Sequence, residues 1–240
     1  MKRLSLLVLL FAVLSVVFFL LLIFLRIPFP LYSLISYQDA FDLLTPLVLI
    51  PVYWLMYKAF VRDQDNLPSD IVFMVFAAAW AAGQGMHLAA NSINNLIGNL
   101  AKDHILDVNG TVIGGLTYFF DEHLSHYLWH IGVIGLAALL IYASWDRYVG
   151  EPTNWWLVAP AGVFYGFTLF CIFLEGQTLP IGLPFVIVCS FLVFVWRWKQ
   201  FKANPMLAFW GVSCLLASLL LIGWRFYWGG FLQFSDVGLI

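Results

Sequence analysis

Three histidines crowd one short stretch, Asp121-Glu122-His123-Leu124-Ser125-His126-Tyr127-Leu128-Trp129-His130, at the mouth of a long apolar run. On a helix, Glu122, His126 and His130 follow i, i+4, i+8 and fall on one stripe about 80° wide. His123 flanks that stripe, and Asp121 is expected to point away from it, toward Ser125 and Leu128. Imidazoles one helical turn apart can reach the same ion, and a ligand from a neighbouring helix then closes a catalytic type of site with an open position. The candidate partner is His87, in Gly83-Gln84-Gly85-Met86-His87-Leu88-Ala89-Ala90-Asn91. The expected metal ligands are therefore His87, His126 and His130. Glu122 is a fourth ligand or the general base for a metal-bound water. Gln84 and Asn91 share the face of His87 and are expected to orient the ligands or a substrate. Zinc suits these donors first, and iron or copper suit them nearly as well.

The elements that position these groups are membrane helices. The chain of 240 residues is 63% hydrophobic and only 10% charged, with a mean hydropathy of +0.93. A soluble domain carries about a quarter charged residues, so an all-α integral membrane protein is expected. About 20 apolar residues cross the hydrocarbon core. Segments 4-25, 43-61, 71-91, 123-145, 155-174, 181-196 and 206-224 qualify, the sixth being the shortest. Residues 1-240 are read as a single polytopic transmembrane domain of seven helices. The first run is too long for a signal-peptide core and lacks a cleavage site, so it is expected to remain as a span. Breaks fall at Arg62 to Pro68, Asp146 to Asn154 and Arg197 to Pro205. Asn94-Asn95-Leu96-Ile97-Gly98 and Asp107-Val108-Asn109-Gly110 read as turns in the longest connection, about 92 to 122. Within it, Val112 to Phe120 reads as an interfacial piece, a re-entrant piece or an extension of the fourth helix.

Positive charge gives a direction. With the N-terminus in the cytoplasm, Lys2, Arg3, Lys58, Arg62, Arg147, Arg197, Lys199 and Lys202 lie inside, and Arg26, Lys102 and Arg225 outside. That bias is the positive-inside pattern, and seven spans then put the C-terminus on the extracytoplasmic side. The third helix runs outward to His87 and the fourth starts inward at His126, so the two imidazoles are expected at similar depth. The site would face the extracytoplasmic side of the cell membrane.

The remaining polar groups have plainer readings. His104 sits in the polar Lys102-Asp103-His104 loop. Asp39 and Asp42 suit a helix start, where acids are favoured. Glu175 and Arg225 are either solvated or a charge pair across the mouth. Cys171, Cys189 and Cys214 lack metal or redox spacing and read as buried free thiols. The net charge of -2 and the lack of a basic cluster give no sign of nucleic-acid binding.

In outline, seven spans with a lone His and a His-x3-His pair resemble the alkaline ceramidase and adiponectin-receptor superfamily of zinc-dependent lipid amidases. That family carries its His-x3-His in the last helix and a Ser with the early His. Here the pair lies in the fourth helix, and Gly83 to Asn91 lacks the Ser. The resemblance implies only that such a site fits a bundle of this size.

Three functions are compatible with these residues. The first is a membrane-embedded metal-dependent enzyme, hydrolytic or oxidative, acting on a lipid-like or small apolar substrate. The second is a haem or electron-transfer protein with His87 and His126 or His130 as axial ligands, for which a His pair on one helix is redundant. The third is a non-enzymatic transporter or a structural subunit of a membrane complex. It draws support from the absence of Walker, Gly-x-Ser-x-Gly and Cys-x-x-Cys motifs.

Overall fold

Seven helices long and apolar enough to span a membrane make up most of the computed structural model, which describes residues 3–25, 27–61, 66–102, 110–146 and 153–239. Lys2, Arg26, Arg62, His104, Arg147 and the Asp107-Val108-Asn109 turn lie outside the described residues. Helix α1 (Arg3–Ser15) continues as a π-helical turn over Val16–Leu20. A hairpin of β1 (Pro28–Phe29) and β2 (Tyr32–Ser36) leads into α2 (Tyr37–Lys58) and α3 (Leu67–Lys102). A short α4 (Val112–Tyr118) passes through a π-helical segment, Phe119–Ser125, into α5 (His126–Ser144). The chain ends in α6 (Trp155–Glu175), α7 (Leu179–Phe191), the short α8 (Trp198–Ala203) and α9 (Pro205–Trp228). Each expected span coincides with one of the seven membrane-length helices, so this is an integral membrane protein in contact with lipid.

Glycine contacts fix the helix directions. A Cβ on Gly162 would meet Val212, and one on Gly166 would meet Ser213 and Leu216. Sequence position rises together on both helices, so α6 and α9 are parallel. The chain must therefore cross the bundle between them, which settles the short sixth segment as a span. Small residues at such contacts let membrane helices approach closely. Inside, Trp80, Trp210, Tyr53, Tyr165, Phe11 and Phe209 are fully buried, and the Tyr53 and Tyr165 hydroxyls satisfy each other at 3.1 Å.

One expectation changes and one open reading narrows. Asn94 and Asn95 are helical, not turns. Helix α3 has 36 residues, roughly 54 Å at 1.5 Å per residue, against a hydrocarbon core of about 30 Å. Val112 to Phe120 belongs to the fourth helical rod, the third of its three expected readings. The β-hairpin was not foreseen. A two-stranded ribbon is marginal by itself, and this one is continuous with the start of α2, where Tyr37 N–H donates to the Ile27 carbonyl at 2.9 Å.

The first turn of α2 is closed by its own side chains. Ser36 and Asp39 form a capping box: Asp39 N–H donates to Ser36 Oγ at 3.1 Å, and Ser36 N–H donates to Asp39 Oδ2 at 2.7 Å. Replacing Ser36 by Ala removes one half of that exchange. It is expected to cost about 1 kcal/mol, read as a lower thermal midpoint of the detergent-solubilised protein, with no change for Ser69→Ala.

Candidate functional site

Helices α3 and α5 supply the histidines, and their backbones are in contact. A Cβ on Gly83 would lie 2.3 Å from Trp129 N and 2.7 Å from Ser125 O. A Cβ on Gly132 would lie 2.5 Å from Trp80 N and 2.7 Å from Phe76 O. These two glycines remove the side chains that would hold the helices apart. One turn beyond Gly83, the His87 ring faces the His126 ring at 4.8 Å between centroids.

Asp121 contradicts the α-helical reading of its direction. It is 1% exposed, with Oδ1 3.8 Å from His87 Nε2 and Oδ2 accepting from Asn94 Nδ2 at 3.1 Å. The cause is the π-helical segment over Phe119–Ser125. Its i→i+5 hydrogen bonds put more residues in each turn, so a residue five before His126 comes round toward it instead of away. Ser125, expected on the same side as Asp121, is also buried, and its hydroxyl donates to the Asp121 carbonyl.

The start of α2 brings in two further carboxylates. Asp42 Oδ2 lies 3.4 Å from His87 Nδ1, and Asp42 Oδ1 faces Gln84 Nε2 at 3.5 Å. Gln84 in turn accepts from Trp80 Nε1 at 2.7 Å and is fully buried. Asp39, besides capping α2, accepts from Asn91 Nδ2 at 3.1 Å. The helix-start reading of Asp39 therefore holds, and both aspartates also reach the residues around His87. Asp42 was open in the sequence, a helix start that could also add to the mouth, whereas Asp121 is expected there to point away. The signal for Asp42 was present, as an acid at the edge of an apolar span close in depth to His87. For Asp121 no sequence signal existed without knowledge of the π-turn.

His126 Nδ1 lies 3.1 Å from the Glu122 carbonyl and 4.0 Å from Glu122 Oε2, so Nε2 is its free nitrogen. His130 stacks parallel to His126 at 6.0 Å. Its Nδ1 and the Thr178 hydroxyl share a hydrogen at 2.5 Å. A Cβ on Gly176 would lie 2.4 Å from His130 Cε1, so the α6–α7 turn wraps that ring closely. His123 is exposed and packs on the Tyr118 and Phe119 rings.

A cavity of about 400 Å³ opens beside these groups, lined by Asp42, His87, Asn91, Glu122, His126 and Glu175 with apolar walls from Phe18, Phe19 and Trp129. No Lys or Arg lines it among the described residues. Of the two readings of Glu175 and Arg225, the charge pair does not form. Glu175 Oε1 accepts from Phe234 N–H at 2.6 Å, and Arg225 donates to the Gly229 carbonyl. All three cysteines are free and buried. Among the described residues, no group of three or more His, Cys, Asp or Glu side chains stands at distances that hold a metal ion.

Comparison with protein-family models, with curated proteins and with solved structures finds no match for this chain.

Proposed function

We propose that this protein is a membrane-embedded metal-dependent enzyme, with its site beneath the extracytoplasmic interface and a lipid-like or small apolar substrate. The observation that carries the reading is an acidic, histidine-lined cavity with no Lys or Arg among the described residues of its lining, and, next to its His87 and His126, two buried side-chain atoms without a hydrogen bond, Asp121 Oδ1 and His130 Nε2. Buried carboxylates call for a cationic partner, and ionisable groups at membrane depth mark functional sites.

The donor set suits a transition metal. His87 Nε2 and Asp121 Oδ1, 3.8 Å apart, are the donors that would hold such an ion. His126 Nε2 would be the third ligand once its ring turns toward that pair. Asp42 beside His87 Nδ1, and the Glu122 carbonyl beside His126 Nδ1, play the orienting part that carboxylates and carbonyls play behind metal-bound histidines. Asp121 thus takes the place that sequence reasoning gave to His130, and His130 supports the His126 ring from behind. Glu122, which lines the cavity, would be the general base there, and a bound metal would supply an acidified water. Two histidines and a carboxylate serve zinc hydrolases and iron(II) oxygenases alike, so the metal found decides between hydrolysis and oxidation.

The orientation rests on charge. Arg3, Lys58, Arg197, Lys199 and Lys202 lie at helix ends away from the cavity by the alternation of spans, which makes that side cytoplasmic. About 20 residues per crossing, counted from Asp70, reach the turn between His87 and Asn91.

Elemental analysis of the protein extracted in mild detergent tests the reading. About one divalent transition metal per chain is expected, lost in His126→Ala and in Asp121→Asn. A Soret band in the visible spectrum would instead assign the histidines to haem. Protein without metal or haem would remove the enzyme reading in favour of a transporter or complex subunit.

A further inference from the structure

A second concavity, of about 610 Å³, runs between the start of α7 and the segment after α9. Leu179, Leu183, Pro184 and Phe231 give it an apolar wall, and Gln177 and Asp236 are polar residues on its lining. Gln233 lines both this groove and the histidine cavity, so the two spaces adjoin at that residue. That junction is held in place: Gln233 Nε2 donates to the Glu175 carbonyl at 2.7 Å, and Phe234 N–H donates to Glu175 Oε1 at 2.6 Å. Phe234 in turn packs on Phe170 and Trp224.

The groove also adjoins lipid. Helix α7 is a span with most of its length unburied, and Ile187, Val188 and Phe191, one to two turns further along, are exposed. A hydrocarbon chain in the bilayer can reach Leu183 and Pro184 without leaving apolar surroundings. An acidic, imidazole-bearing cavity on one side of Gln233 and a mainly apolar groove on the other match a molecule with a polar head and an apolar tail. We propose that the groove holds the hydrocarbon tail of an amphiphilic lipid-like substrate. Its head lies in the cavity at His87, His126 and Glu122, and the molecule enters sideways from the bilayer between α7 and the C-terminal segment. This assignment rests on the cavity being the active site. Gln233 is then the positioning residue at the junction of head and tail.

The test uses the full chain in phosphatidylcholine vesicles containing a trace of phosphatidylcholine with a photoactivatable diazirine in one acyl chain. Attachment sites are mapped by peptide mass spectrometry. Labelling at Leu183, Pro184 and Phe231 is expected to exceed that at Ile187, Val188 and Phe191 by several-fold. Leu183→Trp, which fills the groove, is expected to abolish the first set and spare the second. Should that variant fail to fold, Pro184→Trp at an exposed position gives the same reading. Equal labelling of the two sets, or groove labelling that survives both tryptophans, overturns the proposal. Metal content measured on the same samples separates the two ideas. Bound metal without groove labelling removes the tail site alone. Groove labelling on a protein without metal removes the metalloenzyme reading and leaves a lipid-tail site.

Discussion

Replacing His87 by Ala is expected to abolish metal binding and to destabilise the protein in the same step. The ring stands between two carboxylates, 3.4 Å from Asp42 and 3.8 Å from Asp121. Asp121 is fully enclosed, and Asp42 is almost so. Without the imidazole, two buried acids face a gap with no cationic neighbour. Leaving buried groups without their partner typically costs about 1–3 kcal/mol each, more for a charged group, a large share of the stability of an ordinary domain. The double variant His87→Ala/Asp42→Asn should recover part of that loss, because an amide needs no counter-charge, while its metal content stays at background. Thermal midpoints in detergent for the wild type, both single variants and the double variant give the coupling directly. Strictly additive losses would show that His87 and Asp42 act independently and would dissolve the Asp–His–Asp group. His126→Ala is expected to lose metal with a smaller loss of stability, since the hydrogen-bonding partner of that ring is the Glu122 carbonyl.

Much of this arrangement was legible because it follows from lengths and periods. Apolar runs near 20 residues mark spans regardless of what they pack against. The matched depth of His87 and His126 follows from the direction of two consecutive helices, and their rings do face each other. What escaped prediction depended on tertiary partners. Asn94 and Asn95 carry turn chemistry, yet Asn94 bonds to Asp121 and Asn95 to Asn91. The first bond reaches the neighbouring rod and the second runs one turn along α3 itself, and the local preference for a turn yields to both. Asp121 escaped because an angle of 100° per residue was carried through a segment that is π-helical. One irregular turn was enough to exchange a bystander for a candidate ligand. π-Helical turns are frequent at functional sites. A second one, Val16–Leu20, contributes Phe18 and Phe19 to the wall of the same cavity.

Gly83 carries the second large effect, because the site depends on how closely α3 approaches α5. Any Cβ there meets the Trp129 nitrogen and the Ser125 carbonyl. Backbone atoms of a neighbouring helix cannot rotate aside as a side chain can. Gly83→Val is therefore expected to move the helices apart, at the upper end of the roughly 1–3 kcal/mol, or more, that overpacking costs. Moving α5 also separates His126 from His87, one turn along. Metal content should then fall even in the fraction of protein that stays folded and monodisperse. Gly85→Val is the matched control on the same helix. Nothing lies within 4 Å of its Cβ position, and replacing a mid-helix glycine there is expected to leave stability level or slightly raised. Equal behaviour of the two variants would mean that glycine is needed in α3 for reasons of backbone flexibility. A large loss confined to Gly83→Val ties the histidine geometry to the contact between the two helices. Gly132→Val, at the other glycine of that interface, is expected to reproduce it, since its Cβ would meet the Trp80 nitrogen and the Phe76 carbonyl in the same way.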